Sequence, residues 1–406
     1  MRKSLLAATC GLTMTLAGAA GAQDQELSNG YVKIGVLGDM SGVYATGFSG
    51  PGAVGAVEMA VEDFGGSVLG QPIKVISADH QNKPDVASAT AREWIDQEHV
   101  DLITDLTNSA VGLAVQSLAS DKGVITINTG SATTQLTNEA CTKYGIHYGY
   151  DTYALPVGTA TAIVKNGGDK WFFITADYAF GHSLQENTTK VVESLGGEVV
   201  GSVAAPLGTN DFASYLLQAK ASGAEVIALA NAGQDTVNSV KQADSFGIVE
   251  GGQQLAGMLV LISDVKSLGQ EVAKGLQFTS GWYWNHDDAS REWAKRYMER
   301  TGAAPTFPHA ALYSATTAYL NAVKAAGTDD ADVVREQLNG MPIDDFFAKG
   351  GHIRPDGLLI HDMYLLKVKE SSESQGEWDV AEVVRTIPGE QAYPPLSEST
   401  CARINQ

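Results

Sequence analysis

Residues 103–133, ITDLTNSAVGLAVQSLASDKGVITINTGSAT, hold the pattern that decides how the rest of the chain is read. An apolar run over 100–104 reads as a short strand and gives way to a polar turn at 105–108. From Ser109 to about Ser120 the apolar residues recur at helical spacing, and a second apolar run, 124–128, ends in another small polar turn, 129–133. Strand, helix and strand joined this closely form a right-handed β-α-β unit, which sets both turns side by side at the carboxyl edge of one sheet. Small hydroxylated residues at a helix start leave backbone N–H groups open to an anion, and Ser109 stands where an N-cap is expected. The two turns predict half of a pocket for a small ligand carrying a carboxylate.

The same alternation extends in both directions. Upstream, a strand over 31–37 leads through a long loop to a helix over 53–64, whose Val54, Val57, Ala60 and Val61 share one face. A strand over 73–78 and a helix over 84–97 follow, with Pro84 at a tolerated first-turn position. The rhythm breaks at 148–152 and starts afresh. Helices over 155–166, 180–194, 211–221 and 235–246 then alternate with strands over 170–175, 198–205, 225–230 and 254–259. A strand over 275–281 precedes Trp282, Tyr283 and Trp284. Two helices, 289–301 and 310–326, come before a β pair at 351–354 and 358–368. The fold class is α/β, with two lobes of Rossmann-like parallel sheets covered by helices. At 406 residues the chain exceeds one ordinary core, in keeping with two domains.

The first 22 residues stand apart: Arg2 and Lys3, an apolar run over 5–16, and Ala20-Gly21-Ala22 make a cleavable export signal. Cys10 falls ahead of most of the apolar run, whereas a lipid anchor would need it after; a lipoprotein is the alternative. No other stretch has the uninterrupted apolar length to span a membrane. Loss of Arg2 and Lys3 takes the formal net charge from −20 to −22, which disfavours nucleic acid and anionic membranes as partners. In an oxidising compartment the two remaining cysteines, Cys141 and Cys401, either form one disulfide, the simpler reading, or stay as buried thiols.

Gly50-Pro51-Gly52-Ala53-Val54-Gly55 matches G-x-G-x-x-G, but a dozen loop residues separate it from its strand, so helix entry explains it better than a dinucleotide. Ser263 to Lys266 spells S-x-x-K without its companion motifs, and a helix cap at Ser263 or Asp264 accounts for it. The scattered histidines have no zinc spacing. No catalytic set, metal site or cofactor is expected. The Trp282 to Trp284 cluster is either core or, lying at a predicted crossing between lobes, part of a cleft wall. Tyr44, Tyr153, Tyr178 and Phe180 follow strands, and aromatics converging on a cleft suit a flat apolar ligand.

Ile34–Gly42 (IGVLGDMSG), the Thr107–Ser109 turn, Thr129–Ala132 and Ala176–Gly181 (ADYAFG) together resemble the type I periplasmic solute-binding proteins, the group of the leucine/isoleucine/valine-binding protein of ABC importers. The resemblance covers nearly the whole mature chain. It implies that the late helices return to the first lobe, giving three crossings. The first lobe would then comprise 23–150 and 282–355, the second 151–281 and 356–390, with a tail at 391–406. It also implies a periplasmic monomer that hands a solute to the membrane permease and ATPase of an importer. A sensor subunit partnered by a histidine kinase or chemoreceptor is an alternative with the same fold.

Carried over residue by residue, the carboxylate clamp falls on Asn108, Ser109 and the Gly130-Ser131-Ala132 turn, with Tyr44 near the cleft. Phe180 covers the ligand and a second aromatic position falls on Ala232. The acid that holds an amino acid's ammonium falls close to Met258, where the run 256–262 carries no acid. A buried ammonium without a charged partner is strongly disfavoured. The chain is similar to the branch that takes up benzoate- or hydroxycinnamate-like acids; alternatively Asp177 supplies the charge and the ligand is an amino acid.

Overall fold

The computed structural model describes residues 27–405; the stretch 1–22 expected to be an export signal, with Cys10, lies outside the described residues. Val32–Gly38, buried along its whole length, is the centre of the first sheet. It pairs in parallel with Gln71–Asp79 on one side and Leu102–Asp105 on the other, and Ile125–Asn128 and Gly145–His147 continue the parallel sheet. The short Ser67–Val68 closes the far edge antiparallel. The second sheet is parallel throughout, with Lys170–Ala176 between Glu198–Ala205 and Val226–Ala230, and Gln254–Gly257 beyond. Continuous apolar runs such as VKIGVLG and VIALA form these strands because helices cover both faces.

In both sheets the first strand lies between its successors, so the order reverses beside it. Loops leaving the carboxyl ends on either side of that point diverge and open a crevice. Four such loops, two per sheet, face one another in this molecule.

Helices Asp288–Thr301 and Phe307–Ala326 pack on the helix Gly50–Asp63 of the first lobe. Arg296 pairs with Asp63, and Arg300 reaches Glu58 and Glu62. A third, antiparallel sheet joins Gln277–Ser280, Met363–Val368 and Ala381–Ile387. The last of these strands was not foreseen, because five of its seven residues are exposed and carry no core pattern. The late pair read at 351–354 and 358–368 is divided: His352–Ile353 pairs only with Leu359–Ile360, while Met363–Val368 belongs to the third sheet. Leu358 bridges His147 of the first sheet, and His361 Nε2 lies 2.8 Å from the Gly149 carbonyl oxygen.

Cys141 and Cys401 are joined, with Cα atoms 5.6 Å apart and a sequence separation of 260. The bond holds the tail on the first lobe, where the Ser399 hydroxyl donates to the Thr137 carbonyl and the Thr400 N–H to Asn138 Oδ1. Among the described residues no helix is long and apolar enough to cross a membrane.

Candidate functional site

The strand Leu102–Asp105 ends in a turn of unusual backbone. Asp105, Leu106 and Asn108 all have positive φ, at 73°, 55° and 104°, although none is glycine. Such conformations persist only where surrounding bonds over-determine them. Here the Asp105 carbonyl accepts the N–H groups of Thr129 and Gly130, and Leu106 N–H donates to Leu37. The turn aims the helix Ser109–Asp121 at the cleft.

The N-cap of that helix is Asn108, one residue before the expected Ser109. Asn108 Oδ1 accepts from Ala110 and Val111 N–H, and its carbonyl from Gly112 N–H, which leaves the Ser109 N–H as the one first-turn amide outside the cap. Ser109 Oγ accepts the N–H groups of Ala132 and Thr133, each at 3.2 Å. With its lone pairs so used, the hydroxyl keeps its own hydrogen to donate. An amide and a hydroxyl side by side at a helix N-terminus have the donors to receive a carboxylate.

Behind them lies Asp105, fully buried, accepting the hydroxyls of Ser49 and Thr107. Burial pushes its carboxyl up to about 7. Gly130 is held to glycine, since a Cβ would lie 2.0 Å from Thr107 Oγ1. The loop after Val32–Gly38 is organised by Asp39, whose carboxylate accepts from Gly42 and Tyr44 N–H and from the Asn82 side-chain amide. That loop presents Tyr44 and Phe48, packed edge to face at 5.6 Å.

These residues enclose a cavity with Thr107, Tyr150, Tyr178, Phe180, Ala232 and Leu259. Its volume is about 220 Å³, little of it wide enough for water. The lobes are closed on it. Tyr44 and Tyr178 hydroxyls from opposite lobes are 2.5 Å apart, and Gln234 N–H donates to the Val43 carbonyl across the cleft. Further out, Ser183 Oγ lies 2.6 Å from Thr152 Oγ1.

Of the residues expected at the site, Tyr44, Asn108, Ser109, Gly130, Tyr178, Phe180 and Ala232 line this cavity. Ser131 and Ala132 stand behind it, their polar groups used internally: Ser131 Oγ donates to the Leu106 and Asn108 carbonyls, and Ala132 N–H to Ser109. Met258 is core, and the wall position falls to the next residue, Leu259. Asp177 is exposed and paired with His182 at 3.1 Å, so it cannot supply the missing charge.

Tyr153 sits half-buried at the start of the helix Ala154–Lys165, outside the lining. Trp282 and Trp284 are corrections too. The strand ends at Ser280; Trp282 packs against Trp293 and Phe346 in the first-lobe core, and Trp284 donates to the Trp378 carbonyl. Ser263 lies inside the helix Ile262–Leu268, whose first turn is tied by Asp264 to Leu261 N–H. Sequence reasoning missed Phe48, Tyr150 and Leu259, and placed Thr107 only within the Thr107–Ser109 turn. Tyr150 lies in the 148–152 break in rhythm, and its hydroxyl donates to the Gly130 carbonyl at 2.8 Å.

A cleft closed between two parallel-sheet lobes, with an uncapped helix amide and a hydroxyl in one wall, is the architecture of a solute-binding protein. The chain belongs to the periplasmic binding protein family, which it matches over residues 31–376, and has that family's type I fold. It is 52% identical to a periplasmic binding protein from Burkholderia mallei, with TM-score 0.90 over 92% of this chain and 99% of that one. A branched chain amino acid ABC transporter periplasmic ligand-binding protein from Burkholderia xenovorans LB400 is 43% identical, with TM-score 0.81 over 92% and 99%. A solute-binding protein of an ABC transporter from Rhodopseudomonas palustris HaA2, solved in complex with p-hydroxybenzoic acid, is 25% identical, with TM-score 0.80 over 88% and 97%.

Proposed function

We propose that the mature chain, from Gln23, is a monomeric periplasmic receptor that captures an aromatic carboxylate by closure of its lobes and delivers it to an ABC permease and its ATPase. The carboxylate is received by the Ser109 N–H and hydroxyl, and the ring lies among Tyr44, Phe48, Tyr150, Tyr178 and Phe180. The observation that carries this reading is the wall opposite: Phe180, Ala232 and Leu259 offer no charge to a ligand ammonium. The cavity in the closed state holds at most about one water, so the ligand enters when the lobes part and its contacts favour reclosure.

A second reading, an amino-acid ligand, is favoured by one observation. Asp235 is buried, its Oδ1 has no partner, and its charge is felt by both Tyr44 and Tyr178. Burial pushes its carboxyl up to about 6, and Gly208 N–H donates to its other oxygen.

A thermal-shift screen against aromatic carboxylates and branched-chain amino acids separates the two. Ligand at a hundred times its dissociation constant adds about 2.7 kcal/mol of stability. A raised melting temperature with benzoate- or cinnamate-like acids and none with leucine supports the first reading; the reverse result makes Asp235 the ammonium partner and ends it.

A further inference from the structure

Ser263 stands in the first turn of the helix Ile262–Leu268, which follows the strand Gln254–Gly257 of the second sheet. Its main chain is fixed. The Ser267 hydroxyl donates to its carbonyl at 2.9 Å, and Leu261 N–H donates to Asp264 at 2.9 Å. The Ser263 hydroxyl itself is buried out of reach of water and has no hydrogen-bond partner among the described residues. Gly47 lies against it, from the loop that follows Val32–Gly38 of the first sheet.

The fit of these two loops leaves no room for a side chain. A Cβ at Gly47 would fall 2.1 Å from Ser263 Oγ, 3.0 Å from Ser263 Cβ and 3.2 Å from Leu261 Cδ1. Gly47 is itself pinned from the first lobe, where the Thr306 hydroxyl donates to its carbonyl. On the other side of Tyr44 the roles are exchanged. Gly233, from the second lobe, would put a Cβ 2.5 Å from the Val43 carbonyl oxygen, which accepts Gln234 N–H at 3.2 Å. The loop 43–47 is thus wedged between two loops of the second lobe, and each contact is made through a glycine. With φ at +89° and +60°, Gly47 and Gly233 are needed for their backbone as well as for their size.

The two contacts differ in polarity. At Val43, closing the cleft makes a hydrogen bond. At Ser263 it takes a hydroxyl out of water and gives no bond in return, which is unfavourable. We propose that the Gly47–Ser263 contact sets the closing equilibrium of the lobes: the Ser263 hydroxyl opposes closure of an empty cleft, and glycine at 47 keeps the closed fit attainable. Both are positioning residues, since neither lines the cavity around Ser109 and they act on the solute only through closure. A receptor held back in this way closes when solute contacts outweigh the lost hydration, and its empty form stays open to ligand. The inference rests on the lobe closure of the reading above and on neither of its candidate ligands.

The test is disulfide trapping in the ligand-free mature protein. Val43→Cys and Gln234→Cys place a thiol pair where the backbones meet across the closed cleft, and under a mild oxidant its rate of bond formation follows the closed population. Added to this parent, Ser263→Ala should speed trapping about tenfold by removing a hydroxyl that is buried without a partner. Gly47→Ala should slow it about 30-fold through the clash. Ser263→Gly in the same chain should restore the rate, although the backbone strain at position 47 remains. Residues that merely held the fold would give neither the gain nor the rescue across the cleft. A Ser263→Ala rate no faster than the parent's overturns the proposal, as does a Gly47→Ala rate that Ser263→Gly leaves slow, or one rate shared by all four proteins. The parent is also trapped with benzoate and with leucine. Acceleration by either acid alongside unresponsive variants overturns the role of Ser263 and leaves solute-driven closure standing.

Discussion

The two walls of the cleft are built to opposite rules. On the first lobe, Asn108, Ser109, Thr107 and Asp105 form a mesh in which nearly every polar atom is committed before a ligand arrives. On the second, Phe180, Ala232 and Leu259 commit nothing and leave shape and one phenol to discriminate. A prepaid hydrogen-bond mesh recognises what all carboxylates share, and an apolar wall recognises what distinguishes them. Anchoring and choosing are therefore separable by mutation.

The largest effects should come from inverting either wall. Gly130→Val puts a Cβ 2.8 Å from Thr107 Cα and 2.9 Å from Asp105 Oδ1. Overpacking of this kind should destabilise the fold by about 1–3 kcal/mol and weaken every carboxylate ligand by about 100-fold, read by calorimetry. Normal binding would mean that the anchor lies elsewhere. Leu259→Glu plants a charge in the apolar wall; aromatic acids should lose about 100-fold while an amino acid gains, and a uniform loss of both would contradict the division of labour.

Ser109→Ala is milder. It removes one hydrogen bond to a charged group, about 1–2 kcal/mol or roughly tenfold, equally for benzoate and 4-hydroxybenzoate. A change in their ratio would show that the two walls are coupled.

The smallest effect is that of pH. The folded chain keeps the Asp105 proton to about pH 7, and the unfolded chain releases it near the model value of 3.8. Stability from this group is thus greatest below 3.8 and is lost as pH rises through about 7. The charge that appears faces the ligand carboxylate, so affinity should fall by about threefold between pH 6 and pH 8. Asp39, His80, Asp235 and the phenols of Tyr44, Tyr150 and Tyr178 are the other ionisable groups around the cleft. Asp105→Asn should flatten the profile if Asp105 is its source.

How much of this was legible in the sequence follows from how local each cause is. The central β-α-β unit and its two turns are set by periodicity and small polar residues within thirty positions, and they stand where the pattern puts them. The cap shifted by one because Asn108 and Ser109 are both good cap residues, and only the positive φ of Asn108 decides between them. Phe48 and Tyr150 reach the cavity from loops whose paths depend on contacts with distant helices, which no spacing rule reports. Trp282 was ambiguous for the same reason: its burial against Trp293 and Phe346 requires the late helices to have packed first. The pairing of Cys141 with Cys401 needed only parity and compartment.

The three positive-φ residues of the 105–108 turn, Asp105, Leu106 and Asn108, bear on any redesign of the chain. Glycine would relax the backbone at Asp105, Leu106 or Asn108. Yet two of those three carry the cap and the buried carboxyl that shape the receptor. A search for thermal robustness, natural or engineered, would meet its easiest gains in this turn and would trade recognition for them. A version that melts higher and binds nothing is thus only a few substitutions away.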